Sequence, residues 1–296
     1  MKKENRISCP VVYHNDFNMA NLSKLSVLEN NLLFTIFKGM AYRSKFVFDI
    51  DKLCLMASGG NPIRKDRIEG LVRGLIKNVF HSYFVIRTER KEMNIHLFHA
   101  INFVLDSQKQ IVGLEVELNE QGRRIIHDLG GNFTLLDLEA FKKIQSAYIK
   151  TIFRLLSQYK SKGFMKMRYG QFKEILGIPK GYQQPNINER ILKPSVEILS
   201  EYFKGLKYEL VKENREYGYI IYKFKPIVYK TKQDIAIESI ELKSSDKRQI
   251  FMLNTALKAV DALNPSAEQA KISAQIIQDR ENVFKKYGRS AIITKD

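Results

Sequence analysis

The sequence predicts an α+β protein in which one order of elements occurs twice and a mainly helical C-terminal tail follows. Two observations support this prediction. Residues 148–224 have the hydrophobic periods of a helix, a short helix, a third helix and a β-hairpin. The order helix, short helix, helix and strands also occurs about 120 residues earlier, with little sequence identity to the second copy. We therefore expect two tandem domains related by pseudo-symmetry.

Changes of pattern divide the chain into four segments. Residues 1–21 have no hydrophobic period and are predicted to form an N-terminal arm. Residues 22–134 are predicted to be the first domain and residues 135–226 the second. The character of the chain changes after Pro226, and residues 227–296 are predicted to be a helical tail.

In the first domain, apolar residues at helical spacing alternate with short β-rich runs. The turn Ser58–Pro62 is indicated by its glycine and proline content. The predicted elements are, in order, helix Leu22–Met40, strand Phe46–Phe48, helix Asp49–Ala57, helix Ile63–Phe80, strands Tyr83–Arg87, Asn94–Leu105 and Ile111–Leu118, and helix Gln121–Leu129.

The second domain begins with a long predicted helix. Thr134, with Asp137 three residues later, has the pattern of a capping box. Apolar residues at helical spacing then run from Leu138 to Tyr159, and Gly163 is predicted to end the helix. A short helix is expected around residues 169–178.

A third helix is predicted to start at Asn186, with Glu189 reaching back to complete the cap. Its expected buried stripe is Ile187, Ile191, Val196 and Leu199, with Asn188, Arg190, Lys193 and Ser195 mainly on other faces. Pro194 lacks an N–H group and predicts a kink in this helix. The hairpin Leu206–Val211 and Tyr217–Phe224 follows, turning through Asn214 and Gly218.

This order is that of a winged helix, a helix-turn-helix variant whose third helix enters the DNA major groove. Arg is suited to guanine O6 and N7, and Asn or Gln to adenine N6 and N7. A solvated polar face is the alternative for these side chains, and lysines on a hairpin also protect exposed strands from edge pairing. The candidate DNA-contacting residues are Lys180, Tyr182, Gln183, Gln184, Asn186, Asn188, Arg190, Lys193, Lys212 and Arg215 in the second domain, and Arg64, Lys65, Arg67 and Arg73 in the first.

The distribution of charge agrees with a polyanionic partner. The chain has a net charge of +17. Residues 136–226 carry 18 Lys and Arg against 9 Asp and Glu, which gives +9, more than half of the excess. A basic domain concentrates polyanions and releases phosphate counterions when it binds them.

Signals of catalysis are poor. The sequence has no phosphate-binding loop of the type G-x-x-x-x-G-K-[ST], and His96 and His99 are spaced to point to opposite faces of one predicted strand. Cys9 and Cys54 are far apart and are expected to be reduced thiols. We expect no enzyme activity, cofactor or metal site. No apolar run is long enough to span a membrane, and we expect a cytoplasmic, bacterial protein without a membrane partner.

The second half of the chain resembles the DNA-binding half of plasmid replication initiators of the Rep family, which bind direct repeats called iterons. The residues that carry the resemblance are Asn132-Phe133-Thr134, Tyr148, the run Arg154-Leu155-Leu156-Ser157-Gln158-Tyr159-Lys160, Leu176-Gly177-Ile178, and Arg190-Ile191-Leu192-Lys193-Pro194. Where the family commonly has two adjacent arginines, this chain has Glu189-Arg190, which leaves Arg190 as the principal residue carried over.

The resemblance implies a protein that recognises origin repeats, opens the adjacent duplex with the host initiator and recruits the replicative helicase. It also implies a homodimer, in equilibrium with monomer, that represses its own gene and pairs through the first domain, with Asn94–Leu105 and Ile111–Leu118 as candidate strands. Two alternatives stay open: a tandem winged-helix transcription regulator without a replication role, and a rolling-circle nicking enzyme.

Overall fold

The architecture was analysed in a computed structural model, which describes residues 10–41, 43–80, 84–87, 92–127, 132–214, 216–227 and 278. The helices of these residues are α1 (Val27–Gly39), α2 (Ile50–Ala57), α3 (Lys65–Phe80), α4 (Glu120–Ile126), α5 (Leu138–Lys143), α6 (Ala147–Gln158), α7 (Tyr169–Leu176), α8 (Gln184–Ile187) and α9 (Lys193–Leu199). The strands are β1 (Pro10–His14), β2 (Lys45–Asp49), β3 (Phe84–Arg87), β4 (Glu92–Ile95), β5 (Phe98–Leu105), β6 (Ile111–Leu118), β7 (Phe133–Asp137), β8 (Phe164–Arg168), β9 (Lys207–Glu213) and β10 (Glu216–Lys223). Asn15–Met19 form a 3-10 helix and Asn188–Leu192 a π-helical turn.

The first domain packs α1, α2 and α3 against an antiparallel sheet of order β2-β6-β5. Phe48, Leu114 and Val116 point from the sheet into the core, since the side chains of a strand alternate between its two faces. Helix α1 begins at Val27 rather than at Leu22, because Ser26 and Glu29 form a complete capping box there. The predicted strand Asn94–Leu105 is two strands, β4 and β5.

The prediction of an N-terminal arm over residues 1–21 is wrong for the part that the structure describes. Strand β1 pairs with β7, more than a hundred residues along the chain, in the register Val12 to Leu135. Tyr13 and Phe17 are fully buried, and their rings contact those of Phe34 and Phe37 on α1. The strand has five residues and a distant partner, so its local sequence shows no hydrophobic period.

The single long helix predicted after Thr134 is also wrong. Thr134 lies inside β7, and two helices follow, α5 and α6. Asp137 caps α5 by accepting from the backbone N–H groups of Glu139 and Ala140, and Ser146 caps α6 by accepting from that of Ile149. The apolar residues of both helices share one periodic face, and this continuity hides the break between the two caps.

The second domain consists of α7, the residues from α8 to α9, and a three-stranded sheet of order β8-β10-β9. Strand β8 was not predicted, although Met165 and Met167 are buried and alternate with exposed neighbours. The hairpin turn lies at Asn214, which has a φ of 49°. Gly218 lies within β10 beside a register shift and is not part of the turn.

The described residues between 10 and 227 belong to one compact unit, which contains both domains. The helices predicted for the tail, over residues 249–263 and from Pro265, lie outside the described residues, apart from Gln278.

Candidate nucleic-acid interface

The third helix of the second domain runs over residues 184–199 and is called the recognition helix below. Its cap is at Gln183, not at Asn186 as the sequence predicted. Pro185 has a fixed φ and no N–H group, so it fits the first turn of a helix, where N–H groups have no partner inside the helix. Asn186 therefore lies inside the helix, with its side chain partly exposed.

Pro194 changes this helix through a π-helical turn over Asn188–Leu192. The N–H of Lys193 donates to the carbonyl of Asn188, five residues back. This wide turn accommodates Pro194, which has no backbone N–H group to donate. Ile187, Ile191 and Leu199 are buried as predicted, and Val196 is only partly buried.

Ser195 was predicted to face outward and is fully buried. Its hydroxyl donates to the carbonyl of Leu192 over 2.7 Å and lies 2.8 Å from the hydroxyl of Tyr222 on β10. The π-helical turn shifts the residues after it around the helix, and this shift brings Ser195 to the sheet. The result is a hydrogen bond that holds the recognition helix on β10.

Two half-buried amide side chains of the recognition helix are oriented by a tyrosine. Tyr169 of α7 donates its hydroxyl to Gln184 Oε1 over 2.9 Å. Gln184 Nε2 in turn donates to Asn188 Oδ1 over 2.8 Å. Burial raises the pKa of Tyr169, which keeps the hydroxyl protonated as a donor. The chain of bonds occupies the Asn188 amide oxygen, and the amide N–H group of such a side chain is a donor that matches adenine N7.

Arg190 is exposed on the same helix and lies beside Tyr182. Its Nη1 is 3.4 Å from the Tyr182 hydroxyl, and its guanidinium is 5.6 Å from the centre of that ring. The neighbouring carboxylate of Glu189 forms an ion pair with Lys193. Arg190 therefore donates only a long bond to a neutral hydroxyl and has no carboxylate partner among the described residues, whereas the charge of Lys193 is already balanced.

The remaining candidates of this domain surround the recognition helix. Lys180 and Gln183 are exposed in the segment that precedes it. Lys212 is exposed on β9, with its ammonium 5.4 Å from the centre of the Tyr217 ring. Arg215 lies outside the described residues.

A basic, aromatic patch on β8 and β10 was not predicted from the sequence. Lys166 and Arg168 place their charged groups 4.2 Å and 5.3 Å from the centre of the Tyr219 ring. Phe164, at the start of β8, is 51% exposed. The alternation of Phe164-Met165-Lys166-Met167-Arg168 is the signal that could have revealed this strand.

In the first domain, the four predicted cations lie at the start and along the outer face of α3, and all are exposed. Arg64 makes two bonds to Asp66, of 3.1 Å and 2.8 Å. Arg73 donates to Glu69 over 2.7 Å and lies over the Phe103 ring. Lys65 and Arg67 complete the set. Two of the four charges are thus paired with carboxylates inside the domain.

Comparison with known families agrees with this geometry. A family model described as "Initiator Replication protein, WH1" matches residues 10–157, and a model described as "Initiator Rep protein, WH2" matches residues 170–225. The chain belongs to the initiator replication protein family. The two models divide it between residues 157 and 170, whereas the sequence prediction placed the boundary after residue 134.

Individual relatives were also found. The chain is similar to "Probable replication protein rep" of Bifidobacterium longum (strain NCC 2705), with 27% identity over 219 residues that cover 72% of each chain. Among solved structures, domains 2 and 3 of RctB match with a TM-score of 0.42 and 13% identity, covering 68% of this chain and 82% of that one.

Membership of the initiator family confirms the predicted fold, two winged-helix domains in tandem, and a DNA-binding protein of plasmid replication. No helix of the described residues is long and apolar enough to cross a membrane. Within the same residues, no group of three or more His, Cys, Asp or Glu side chains is arranged to hold a metal ion.

Proposed function

We propose that this initiator binds direct repeats at a plasmid origin and reads them with the recognition helix of its second domain. The observation that carries the proposal is the set of hydrogen-bonding side chains on the recognition helix, Gln184, Asn188 and Arg190. Two half-buried amides oriented by Tyr169, and an exposed arginine without a carboxylate partner among the described residues, offer base-reading chemistry. The exposed basic residues around it, Lys180 and Lys212, suit phosphate contacts, and Lys193 contributes less because Glu189 balances its charge.

In this proposal the first domain contributes a second, weaker contact through Arg64, Lys65, Arg67 and Arg73 on α3. Pairing with Asp66 and Glu69 lowers the charge available from two of these residues. Contacts of this kind position a protein on the duplex without reading its sequence.

Footprinting of the protein on the DNA upstream of its own gene tests the proposal directly. We expect protection of a series of direct repeats, each covered on one face of the duplex. Protection of a single inverted repeat, with no direct repeats bound, would favour a transcription regulator.

A replication role follows from the family and is part of the proposal: the bound protein opens the adjacent duplex with the host initiator and recruits the replicative helicase. The protein acts without catalysis of its own in the bacterial cytoplasm. A plasmid that lacks only this gene should replicate when the protein is supplied in trans and fail without it. Incubation with supercoiled origin DNA and Mg²⁺ or Mn²⁺ should give no nicked or covalently linked product.

We also propose a homodimer that forms through the first-domain sheet, represses the gene and dissociates for initiation. Strand β6 is the central strand of this sheet, so backbone pairing across a two-fold axis is available only at an edge such as β5. Val112, on β6, is 44% exposed and offers an apolar contact on the sheet face.

A Val112→Asp substitution should yield monomers, which lose binding to an inverted repeat and keep binding to single direct repeats. Light scattering at micromolar concentration measures the mass. An unchanged mass would reject this interface, and Val47→Asp, at an equally exposed position on β2, is the matched control.

A further inference from the structure

Residues 15–25, near the N-terminus, make contacts with both winged helices, and we call this segment the strap. It leads from β1 to α1 in the first domain and lies on α6 and α7 on its way. Phe17, Asn18, Ala20, Leu22 and Leu25 of the strap are buried. The strap is therefore part of the core and not a surface connection.

Arg154 of α6 holds the middle of the strap. Its Nη1 donates to the carbonyl of Phe17 over 2.9 Å, and its Nη2 donates to those of Asn18 and Ala20 over 3.3 Å and 2.7 Å. These carbonyls lie at the end of the 3-10 helix, where carbonyls run out of partners within the helix, and that of Phe17 also accepts from the N–H of Ala20. The guanidinium is fully buried, and the groups that accept these three hydrogen bonds are neutral carbonyls. A buried charge with neutral partners is costly, and this cost indicates a role beyond filling space.

Asn18 adds a second set of bonds at the same place. Its Oδ1 accepts from the Tyr13 hydroxyl over 2.8 Å, and its Nδ2 donates to Thr134 over 2.7 Å and to Gln158 over 3.0 Å. Thr134 donates in turn to Asn15 over 2.8 Å. The network ties the strap to β7 and to the end of α6, so the strap has one position on both.

Beyond Ala20 the strap contacts the second domain. Asn21 Nδ2 donates to the carbonyl of Glu174 at the end of α7 over 2.6 Å. Ser23 packs so closely on Gly177 that a Cβ there would lie 2.2 Å from the serine hydroxyl. Gly177 also has a φ of 64°, in the left-handed region that favours glycine. Helix α7 carries Tyr169, which orients Gln184 of the recognition helix.

At its other end the strap contacts α3, the first-domain helix that contacts DNA in the proposed function. Asn78 of α3 donates to the carbonyl of Lys24 over 3.3 Å and to Glu29 Oε1 over 3.2 Å. A continuous path of hydrogen bonds and close packing therefore connects α3, through the strap, to α7 and the recognition helix.

We propose that Arg154 is a positioning residue that locks the strap on α6 and thereby fixes the distance between α3 and the recognition helix. The protein then accepts only duplexes whose two contact sites have one spacing. This second statement rests on the proposed function, in which both helices contact DNA. One extra base pair turns the second site by about 35° around the duplex and moves it by about 3.4 Å, which a rigid pair of helices does not follow.

The first experiment measures the distance in the free, full-length protein. Spin labels are placed at Lys77→Cys on α3 and Glu197→Cys on α9, both exposed positions, with Cys9→Ser and Cys54→Ala as the background. Double electron–electron resonance measures the distance between the two labels. The distribution of this distance should be narrow for the protein without further changes and broader for Arg154→Met. Ser157→Ala is the matched control, because Ser157 is buried on the same helix and bonds only within it.

The second experiment measures affinity for repeat DNA with zero, one or two base pairs inserted between the two footprinted contacts. Wild type and Ser157→Ala should lose at least about tenfold in affinity per insertion, and Arg154→Met less than about threefold. Asn21→Ala removes two exposed bonds, the one to Glu174 and the one from the N–H of Ser23, so it keeps the fold and should give an intermediate loss.

Unchanged distances and an unchanged insertion penalty in Arg154→Met and Asn21→Ala would overturn the proposal. If Arg154→Met does not fold, Asn21→Ala decides the outcome by the same two measurements. A wild-type protein that tolerates every insertion would reject the two-helix contact of the proposed function, and the distance measurement would still decide whether Arg154 fixes the helices.

Discussion

The two winged helices present the same kinds of side chain in different states. In the first domain, Arg64 and Arg73 are bound by the carboxylates of Asp66 and Glu69. In the second, Arg190 lies on Tyr182, and a tyrosine orients the amides of Gln184 and Asn188. A cationic side chain that is paired with a carboxylate of its own domain must break that ion pair before it binds a phosphate. A hydrogen-bond donor that is already oriented and has no carboxylate partner can bind a base directly. In the proposed function, this difference is the reason we expect base reading in the second domain and positioning in the first.

The largest effect is expected from Arg190→Ala. A bidentate pair between arginine and guanine discriminates by about 1–3 kcal/mol, so affinity for the repeat should fall at least about tenfold. Affinity for random DNA should fall less, and thermal stability should change little, because Arg190 is exposed. Titration of the wild type and the variant on both DNAs measures the ratio of repeat to random affinity for each protein. Equal losses on both would make Arg190 a phosphate contact and move base reading to Asn188 and its neighbours.

The next effect is expected from the double substitution Lys65→Gln and Arg67→Gln on α3. Affinity should fall about threefold to tenfold on repeat and random DNA alike, and the salt dependence of binding should weaken by about one for each lost phosphate contact. Arg123→Gln with Arg124→Gln, an exposed basic pair on α4 of the same domain, is the control. A loss confined to the repeat would show that the first domain also reads bases and would break the comparison.

Tyr169→Phe tests the orientation of the amides. The ring keeps its stacking on Phe172, and only the hydroxyl that donates to Gln184 is lost. A single hydrogen bond of this kind contributes about 0.5–1.5 kcal/mol, so affinity for the repeat should fall about twofold to tenfold. Tyr208→Phe, on β9, is the matched control. If both variants bind like the wild type, the row of amides does not depend on Tyr169.

The smallest effect is expected at Lys193, whose charge is balanced by Glu189. Lys193→Ala should change affinity by less than about twofold, since an exposed ion pair of this kind contributes little. Glu189→Ala should leave Lys193 without its ion pair, and affinity should rise by less than about twofold on repeat and random DNA alike. A tenfold loss in Lys193→Ala would show that the lysine leaves Glu189 when DNA binds, and the pairing in the free protein would then not predict the roles of the cations.

The sequence predicts the elements that have a local signal. Several elements lie close to their predicted bounds, because their apolar residues repeat at the spacing of a helix or strand. They are helices α2 and α3, strands β2 and β6, and the hairpin of β9 and β10. The outward position of Arg190 was predicted for the same reason. Membership of the initiator family was predicted from short runs such as Arg190–Pro194 and is confirmed.

The features that were missed depend on distant partners. Strand β1 exists because β7 pairs with it, and the strap is fixed by Arg154, on a helix more than a hundred residues away. The resemblance to initiators singled out Thr134, Arg154 and Gln158 without giving them a role. In the structure all three bind the strap, and none of them lies on the recognition helix. The cap at Gln183 was missed because Pro185 lies in the first turn of the helix, before Asn186, and the burial of Ser195 was missed because the π-helical turn changed the phase of the residues after it.

Guanine N7-methylation interference on the repeat tests the division of labour most directly. Methylation blocks the acceptor that an arginine uses in the major groove. The wild-type protein should show interference at a guanine facing the recognition helix, and Arg190→Ala should lose that signal alone. The Lys65→Gln, Arg67→Gln protein should bind more weakly and keep the full pattern. The account is contradicted if the first-domain variant loses the guanine signal while Arg190→Ala retains it.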